Sequence, residues 1–326
     1  MPAIVPDNLL MLPRVPEPDR LLKSRDVTTI VTAVSLLEGA GFPVRRPFPG
    51  RLLPFTAVDP FLLLDHLGPV EYGPGEAKGA PWHPHRGFET VTYMMDGTLV
   101  HHDSQGGGGL IADGDTQWMT AGSGILHDEM PPLALVQNGG RFHGVQLWVN
   151  LPGRLKMTPP RYQDIAGNRV ALLASADGAA LIRLIAGELA GYNGPGVTHT
   201  PICYAHATVY PGARLRLPWP PSFNAMVYVL SGTGTVGENR HALFAGQLAA
   251  FGPGHALDIA ADANQASQHS ALEILLLGGQ PIREPVAQYG PFVMNTHQEI
   301  AQAFEDYQQG RLGTIPVIRT PPPTPS

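Results

Sequence analysis

Apolar residues in this chain occur in short runs that glycine and proline interrupt, a pattern typical of strands joined by tight turns. The run TVTYMM at residues 90–95 is β-branched and aromatic, and RFHGVQLWVNL at residues 141–151 alternates apolar with polar positions. Residues of these types fit a pleated, half-buried surface. Asp96-Gly97, which follows the first run, is a common hairpin turn. We therefore predict that the first half of the chain is all-β.

The second half repeats this rhythm, most clearly in NAMVYVLSG at residues 224–232 and LEILLLGG at residues 272–279. Between the halves, LPGRLKMTPPRYQ at residues 151–163 has the prolines and basic residues of a linker. Two β-barrels are therefore predicted. The predicted division is a Pro-rich lead-in at 1–25, a first domain at 26–150, a linker at 151–163, a second domain at 164–313 and a Pro-rich tail at 314–326.

One helix is predicted inside the second domain, over residues 297–309. Thr296 and Glu299 have the spacing of a capping box, and Gly310 fits the helix stop. The apolar residues that would share one helix face are Ile300, Ala303, Phe304 and Tyr307. The last seven residues, TPPPTPS, predict a disordered or polyproline tail.

Composition narrows the class of protein. A chain of 326 residues with 43% hydrophobic residues can bury the cores of two domains. A net charge of −6 argues against sequence-independent binding to nucleic-acid phosphates. Cys203 is the one cysteine, so no internal disulfide can form, and we expect it to be a small buried apolar residue. No secretory signal or membrane-spanning run is evident. We expect a cytoplasmic monomer that meets neither membrane nor nucleic acid directly.

Candidate chemistry begins in the segment WHPHRGFE at residues 82–89. His83 and His85 are two residues apart, and Glu89 follows four residues later. Side chains alternate faces along a strand, so all three can point to one side if the segment is extended. Two imidazoles and a carboxylate on one face are a good start on a metal site.

A second pair, His127 and Glu129, ends the segment GDTQWMTAGSGILHDEM, whose glycines predict tight turns just before the pair. A His-x-His on one strand with a histidine on a later strand resembles the pattern of the cupin barrel. The strand at residues 224–232 carries no His-x-His. The second barrel is therefore predicted to hold no metal.

The residues themselves leave the fourth ligand open. In ordinary cupins the acid at the spacing of Glu89 is a ligand, whereas Glu129 is the acid of the second pair. His101, His102 and His143 could also reach the site, although each is unpaired in the sequence. The large apolar residues predicted to be core rather than pocket are Phe88, Tyr93, Met95, Phe142 and Trp148.

Three segments resemble the signature blocks of the pirin family, in the family's order. They are HPHRGFETVTY, GDTQWMTAGSGILHDE and, at residues 290–313, GPFVMNTHQEIAQAFEDYQQGRLG. The resemblance implies a bicupin, in which two cupin barrels face each other and one of them holds iron. It favours Glu129 over Glu89, and the ligand set that it implies is His83, His85, His127 and Glu129.

The resemblance also implies an activity. Several members of the family resemble quercetin 2,3-dioxygenases, which open a flavonol with O₂. We therefore expect an Fe(II) dioxygenase in which Glu129 is both a ligand and the catalytic proton acceptor; Mn, Co, Ni, Cu or Zn would also suit these ligands. The alternative is a metal- and redox-dependent module that binds a protein partner, because other members act as nuclear co-regulators of transcription factors.

Overall fold

The computed structural model describes residue 6 and residues 8–265 and 271–316 of the chain. Strands dominate this part of the chain, which confirms the all-β prediction. The TPPPTPS segment, for which a disordered tail was predicted, lies outside the described residues, as do residues 1–5 and 7.

The strands up to residue 165 are β1 (Val27–Thr32), β2 (Val34–Glu38), β3 (Phe42–Phe48), β4 (Phe61–Tyr72), β5 (Ala80–His85), β6 (Phe88–Asp96), β7 (Leu99–Asp103), β8 (Gly108–Ile111), β9 (Thr116–Thr120), β10 (Ile125–Met130), β11 (Gly140–Asn150) and β12 (Arg161–Ile165). Those that follow are β13 (Ala171–Ala174), β14 (Ala180–Leu189), β15 (Tyr192–Asn193), β16 (Ile202–Val209), β17 (Arg214–Pro218), β18 (Asn224–Ser231), β19 (Thr233–Val236), β20 (His241–Phe244), β21 (Gln247–Phe251), β22 (Ala256–Ala261), β23 (Leu272–Gly279), β24 (Ala287–Tyr289) and β25 (Phe292–Met294).

The α-helices are α1 (Phe55–Val58), α2 (Leu133–Asn138) and α3 (His297–Gln308). Helix α3 is the one predicted from sequence. Its capping box is formed by Thr296 and Glu299, and Gly310 follows with a positive φ of 71°. Of the predicted apolar face, Ile300 and Ala303 are buried and Phe304 is half-buried, whereas Tyr307 is 41% exposed.

The first half of the molecule is a pair of facing sheets. A seven-stranded sheet has the order β12-β9-β6-β11-β4-β3-β2, and a four-stranded sheet has the order β5-β10-β7-β8. Side chains from both sheets form the core between them, among them Leu67, Met94, Leu99, Ile111 and Phe142. The chain passes from one sheet to the other at Arg86-Gly87, where the ladder stops.

The second half has the same plan. An eight-stranded sheet, ordered β1-β21-β18-β23-β16-β14-β13 with β15 added on β14, faces a four-stranded sheet ordered β17-β22-β19-β20. The core between them is mainly aliphatic and includes the predicted buried cysteine, Cys203. Within the described residues, hydrogen bonding therefore builds two sheets in each half rather than one closed barrel, while the all-β, two-cupin class holds.

The two large sheets pack against each other and join the halves. Val145, Leu147 and Val149 on β11 contribute to this shared core from the first half, and Tyr204 and Tyr228 contribute from the second. Because strand residues alternate faces, Gln146 and Trp148 on β11 point the other way, into the first half. One strand therefore serves both the joint between the halves and the interior of the first half.

Two strands cross the division predicted from sequence. Strand β1 pairs with β21 of the second half, and β12, which begins within residues 151–163, pairs with β9 of the first half. The lead-in is packed rather than loose, because Val15 is 1% exposed in the second-half core. The domain bounds themselves stay a prediction.

A search of the described residues for a helix both long and apolar enough to span a bilayer found none.

Candidate metal centre

Three of the four predicted metal ligands come together between the two sheets of the first half. His83 and His85 lie on β5, and His127 lies directly opposite His83 on the antiparallel neighbour β10. The Nε2 atoms of His83 and His85 are 3.1 Å apart, and the ring of His127 lies 4.3 Å and 4.9 Å from theirs. One ligand atom from each ring lies within 4.8 Å of the other two.

The hydrogen bonds of these rings indicate which nitrogen is free to bind. The Nδ1 atom of His83 lies 2.7 Å from the carbonyl oxygen of Pro81, and Nδ1 of His85 lies 3.1 Å from that of Pro291. A carbonyl only accepts, so both Nδ1 atoms carry the proton and both Nε2 atoms carry a lone pair. Two lone pairs facing each other at 3.1 Å need a cation between them. The ligand set therefore fits a divalent metal ion.

Two further observations support this fit. The Nε2 atom of His127 is buried and has no hydrogen-bond partner. Burial lowers the pKa of His85 well below its usual range, and the nearby His83 adds to the effect. Burial likewise lowers the pKa of His127, followed by the effects of His83 and His85. Neutral imidazoles are the form that binds a metal.

Glu129 reaches the same cavity from a different side. Its Oε1 accepts from Thr92 Oγ1 at 2.8 Å, and its Oε2 accepts from Gln146 Nε2 at 2.7 Å. Among the described residues, an oxygen of Glu129 lies within 4.8 Å of ring nitrogens of His101 and His127. The structure thus brings Glu129 next to His127 without placing it inside the three-histidine cluster. Its role as the fourth ligand stays a prediction.

Glu89 points away from the histidines, so the prediction that it shares their face is wrong. The physical reason is the break at Arg86-Gly87, which ends β5 before β6 begins. Glu89 pairs with Val149 and therefore faces the joint between the halves, where Thr120 donates a 2.6 Å hydrogen bond to it. Burial raises the pKa of Glu89 to about 7, although the bond from Thr120 opposes this shift.

An open pocket of about 560 Å³ leads from the protein surface to His83 and His85. Trp148, predicted to be core, lines this pocket, so that prediction is wrong; its ring stands edge-on to the His85 ring at 5.2 Å. The other aromatic or polar wall residues include Phe42, Arg46, Trp82, Gln146 and Gln288. Tyr93 and Met95 do lie in the core shared by the halves, as predicted.

Arg46 is a pocket residue that sequence reasoning missed. It lies on β3, and its guanidinium binds both carboxylate oxygens of Asp65, at 2.7 Å and 2.6 Å, and Glu38 at 2.6 Å. No motif marks it, because β3 precedes the histidine segment and its partners come from β2 and β4. The signal that could have found it is the pair of adjacent arginines in PVRRPF, because an arginine within a partly buried strand needs an acidic partner.

The C-terminal hairpin and α3 close the back of the site. Arg86, the residue after His85, donates to Asp306 of α3 at 2.8 Å and to the Ser123 carbonyl at 2.7 Å. The buried amine of Lys156 donates to the carbonyls of Gly87 and Val293 at 2.8 Å and 3.0 Å. These contacts fix the turn after the His-x-His, and with it the orientation of both imidazoles.

The remaining candidate histidines have different surroundings. His101 is buried beside His127, with their Nδ1 atoms 3.4 Å apart. His102 is partly exposed and binds Asp128 at 2.9 Å, on the other face of β7. His143 lies 2.8 Å from His66 at the joint between the halves. His101 is therefore the one of the three that contacts a predicted ligand.

Two facing-sheet halves, with a candidate metal centre in the first, define a bicupin. The pirin family model matches residues 41–149, and the model described as the pirin C-terminal cupin domain matches residues 204–313. This chain belongs to the pirin family, which confirms the resemblance seen in its three sequence segments.

Relatives carry two kinds of name. A Pseudomonas aeruginosa protein named "putative quercetin 2,3-dioxygenase" is 41% identical over 84% of this chain and 93% of its own length. Human pirin is 38% identical over 89% of this chain and 94% of its own length. The crystal structure of a quercetin 2,3-dioxygenase from Acinetobacter baumannii matches with a TM-score of 0.82 and 38% identity, covering 90% of this chain and 99% of that one.

Proposed function

We propose that this protein is a metal-dependent dioxygenase that opens a flavonol such as quercetin with O₂, and that its metal is Fe(II). The observation that carries the proposal is the convergence of three imidazole nitrogens, two of them from histidines that line an open, aromatic-walled pocket. The names of the Pseudomonas and Acinetobacter relatives point to the same reaction.

The pocket suits a flat aromatic substrate. Its volume of about 560 Å³ lies within the range of small-molecule sites, roughly 300–1,000 Å³. Trp82 and Trp148 offer apolar ring surface for the flavonol rings, while Gln146 and Arg46 offer donors for its hydroxyl and carbonyl oxygens. Burial of the substrate against these residues would exclude water from the reacting ring.

The side chains at the inner end of the pocket would have separate roles. His83, His85 and His127 would hold the metal through Nε2, with Glu129 as the fourth ligand. A bound Fe(II) would supply a Lewis-acid position at which the flavonol oxygens and O₂ can meet. Glu129 would accept the proton of the flavonol 3-hydroxyl, because a carboxylate beside the metal is placed for that transfer. Thr92 and Gln146 hold both of its oxygens in position.

An aerobic assay of the iron-loaded protein with quercetin tests the proposal. We expect loss of the flavonol absorbance together with release of carbon monoxide. The His83→Ala variant, stripped of metal, serves as the inactive control. If loading with Fe, Mn, Co, Ni or Cu in turn gives no turnover, the dioxygenase proposal is wrong.

A second function is favoured by the contacts behind the site. The turn after His85 is held by α3 through Arg86 and Asp306, so the metal-binding strand is tied to an exposed helix. A one-unit charge change between Fe(II) and Fe(III) could alter this surface and select a protein partner, as expected of a transcriptional co-regulator. Pull-downs with the oxidised and reduced iron forms would discriminate, since identical partner sets contradict a redox switch.

A cytoplasmic location and a monomeric state belong to the same proposal. Light scattering of the purified chain measures its mass in solution and tests the monomer directly. A mass of two chains or more would contradict it.

A further inference from the structure

A buried histidine that is outside the predicted ligand set lies directly behind the metal centre. His101, on β7, has no exposed surface and is opposite Glu129 in the β7–β10 ladder. Its ring stacks on Tyr162 with centroids 5.2 Å apart and planes at 20°. A fully buried imidazole is costly unless its polar atoms are used, so its contacts indicate what it does.

Three polar groups surround the His101 ring. The amide Nε2 of Gln117 lies 2.8 Å from His101 Nδ1, and the Nδ1 atom of His127 lies 3.4 Å from the same nitrogen. On the opposite side of the ring, Nε2 faces Oδ2 of Asp103 at 3.7 Å, beyond hydrogen-bond distance. The other oxygen of Asp103 is held by the backbone N–H groups of Gln105 and Gly107, at 2.8 Å and 2.9 Å.

These contacts allow one arrangement of protons that is compatible with a metal on His127. Gln117 donates its amide hydrogen, so Nδ1 of His101 carries a lone pair and the proton sits on Nε2, facing Asp103. His127 can then donate from its own Nδ1 into the same lone pair, which it shares with Gln117. This leaves a lone pair on His127 Nε2, the buried nitrogen that has no partner.

The reverse arrangement fails. If the Gln117 amide were turned over, its oxygen would accept from His101 Nδ1, and that nitrogen would become a donor. The N–H groups of His101 and His127 would then point at each other over 3.4 Å. His127 could avoid this only by moving its proton to Nε2, where it would block the metal.

We propose that His101 is a positioning residue for the metal centre: its Nδ1 accepts from Gln117 and from His127, and this keeps His127 Nε2 free to bind the metal. The inference rests on the metal site of the proposed function, but not on the flavonol reaction. It assigns to an imidazole the place that a carboxylate or carbonyl occupies behind most metal-bound histidines.

Co(II) binding to the full chain tests this role. The dissociation constant is measured by competition with a chelator, and the visible spectrum of bound Co(II) reports the ligand geometry. His101→Phe keeps a flat ring against Tyr162 but removes the acceptor. We expect it to bind Co(II) about 10- to 100-fold more weakly than the wild type, with an altered spectrum. Unchanged affinity and an unchanged spectrum would overturn the proposal.

A second variant keeps the test decisive if His101→Phe does not fold. Gln117→Glu turns the donor to His101 into an acceptor, so His101 must donate from Nδ1 and can no longer accept from His127. The positioning role predicts weaker Co(II) binding, whereas an added negative charge alone would tighten it. Equal or tighter binding by Gln117→Glu would overturn the proposal.

His102→Gln is the matched control, because His102 is the adjacent histidine on β7 but is partly exposed on the opposite face. Its Co(II) affinity should equal that of the wild type. The Co(II) titration contains neither flavonol nor O₂, so it does not depend on the dioxygenase reaction. An absence of turnover in the quercetin assay would contradict the proposed function but would not change the Co(II) result.

Discussion

Nδ1 of His85 lies 3.1 Å from the carbonyl oxygen of Pro291, although 206 positions separate the two residues in the chain. A predicted metal ligand in the first half is thus oriented by the turn between β24 and β25, near the C-terminal end of the second half. The acceptor is the backbone carbonyl of Pro291, so the contact depends on the position of the β24–β25 hairpin rather than on the identity of the side chain at residue 291. What holds the hairpin should therefore also hold the metal.

Asp306 is the side chain to change in order to test this dependence. In Asp306→Ala the buried Arg86 loses its carboxylate partner, and a buried charge left unpaired is strongly destabilising. We expect the free energy of unfolding in urea to fall by roughly 3 kcal/mol and the metal dissociation constant to rise. Arg311→Ala is the control: Arg311 binds the same carboxylate but its side chain is 56% exposed, so the cost should stay below about 1 kcal/mol. Equal losses in the two variants would contradict the importance of Arg86.

His83 and Glu89 should differ sharply in their effect on metal content. His83→Ala removes one of the three converging nitrogens, so we expect the purified variant to hold no stoichiometric metal. Glu89→Gln should retain it, because Glu89 faces the joint between the halves. Elemental analysis of the two variants, prepared side by side with the wild type, measures this. Loss of metal from Glu89→Gln would contradict this and would indicate that Glu89 is a metal ligand.

Glu89 should also make stability depend on pH. Its pKa is raised to about 7 in the folded chain by burial, above the value of about 4.3 expected when unfolded. The protonated form is therefore favoured by folding, and this contribution is complete below about pH 4 and is lost as the pH rises toward 7. The loss is on the order of 3 kcal/mol for the isolated group. The melting temperature of Glu89→Gln, measured relative to that of the wild type, should rise as the pH increases from 5 to 8. A difference in melting temperature that stays constant over this range would refute the pKa shift.

Glu129 should matter more for turnover than for folding. Glu129→Gln keeps the shape of the side chain but removes the proton acceptor, so quercetin turnover should fall by about 100-fold or more. Its melting temperature without metal should stay close to that of the wild type. The carbonyl oxygen of the new glutamine can still accept from Thr92, and Gln146 can turn its amide so that its oxygen accepts from the new NH₂ group. Wild-type rates in the metal-loaded variant would show that another group takes the proton.

The histidine cluster could be predicted from sequence because it depends on local spacing. His83 and His85 are two apart on one strand, and period-two alternation is enough to put them on one face. The capping box of α3 was equally local, with Thr296 and Glu299 three residues apart. The pirin segments supplied the pairing of His127 with these residues, which spacing alone does not determine.

Features that depend on distant parts of the chain could not be predicted in this way. The predicted face of Glu89 is wrong because one break at Arg86-Gly87 reverses the parity of every later position. Trp148 lies in an apolar strand and is therefore predicted to be core, but alternation along β11 places it on the face that lines the pocket. The role of His101 could not be predicted, because Gln117 and His127 meet it only once the sheets are folded.

The exchange of β1 and β12 between the halves has a consequence for limited proteolysis. A protease that cuts the connection near residues 151–160 would leave β1 paired with β21 and β12 paired with β9. Each fragment would still contain a strand embedded in the sheet of the other. A nicked chain would therefore stay interlocked, and its pieces would separate in denaturant but co-elute in native buffer.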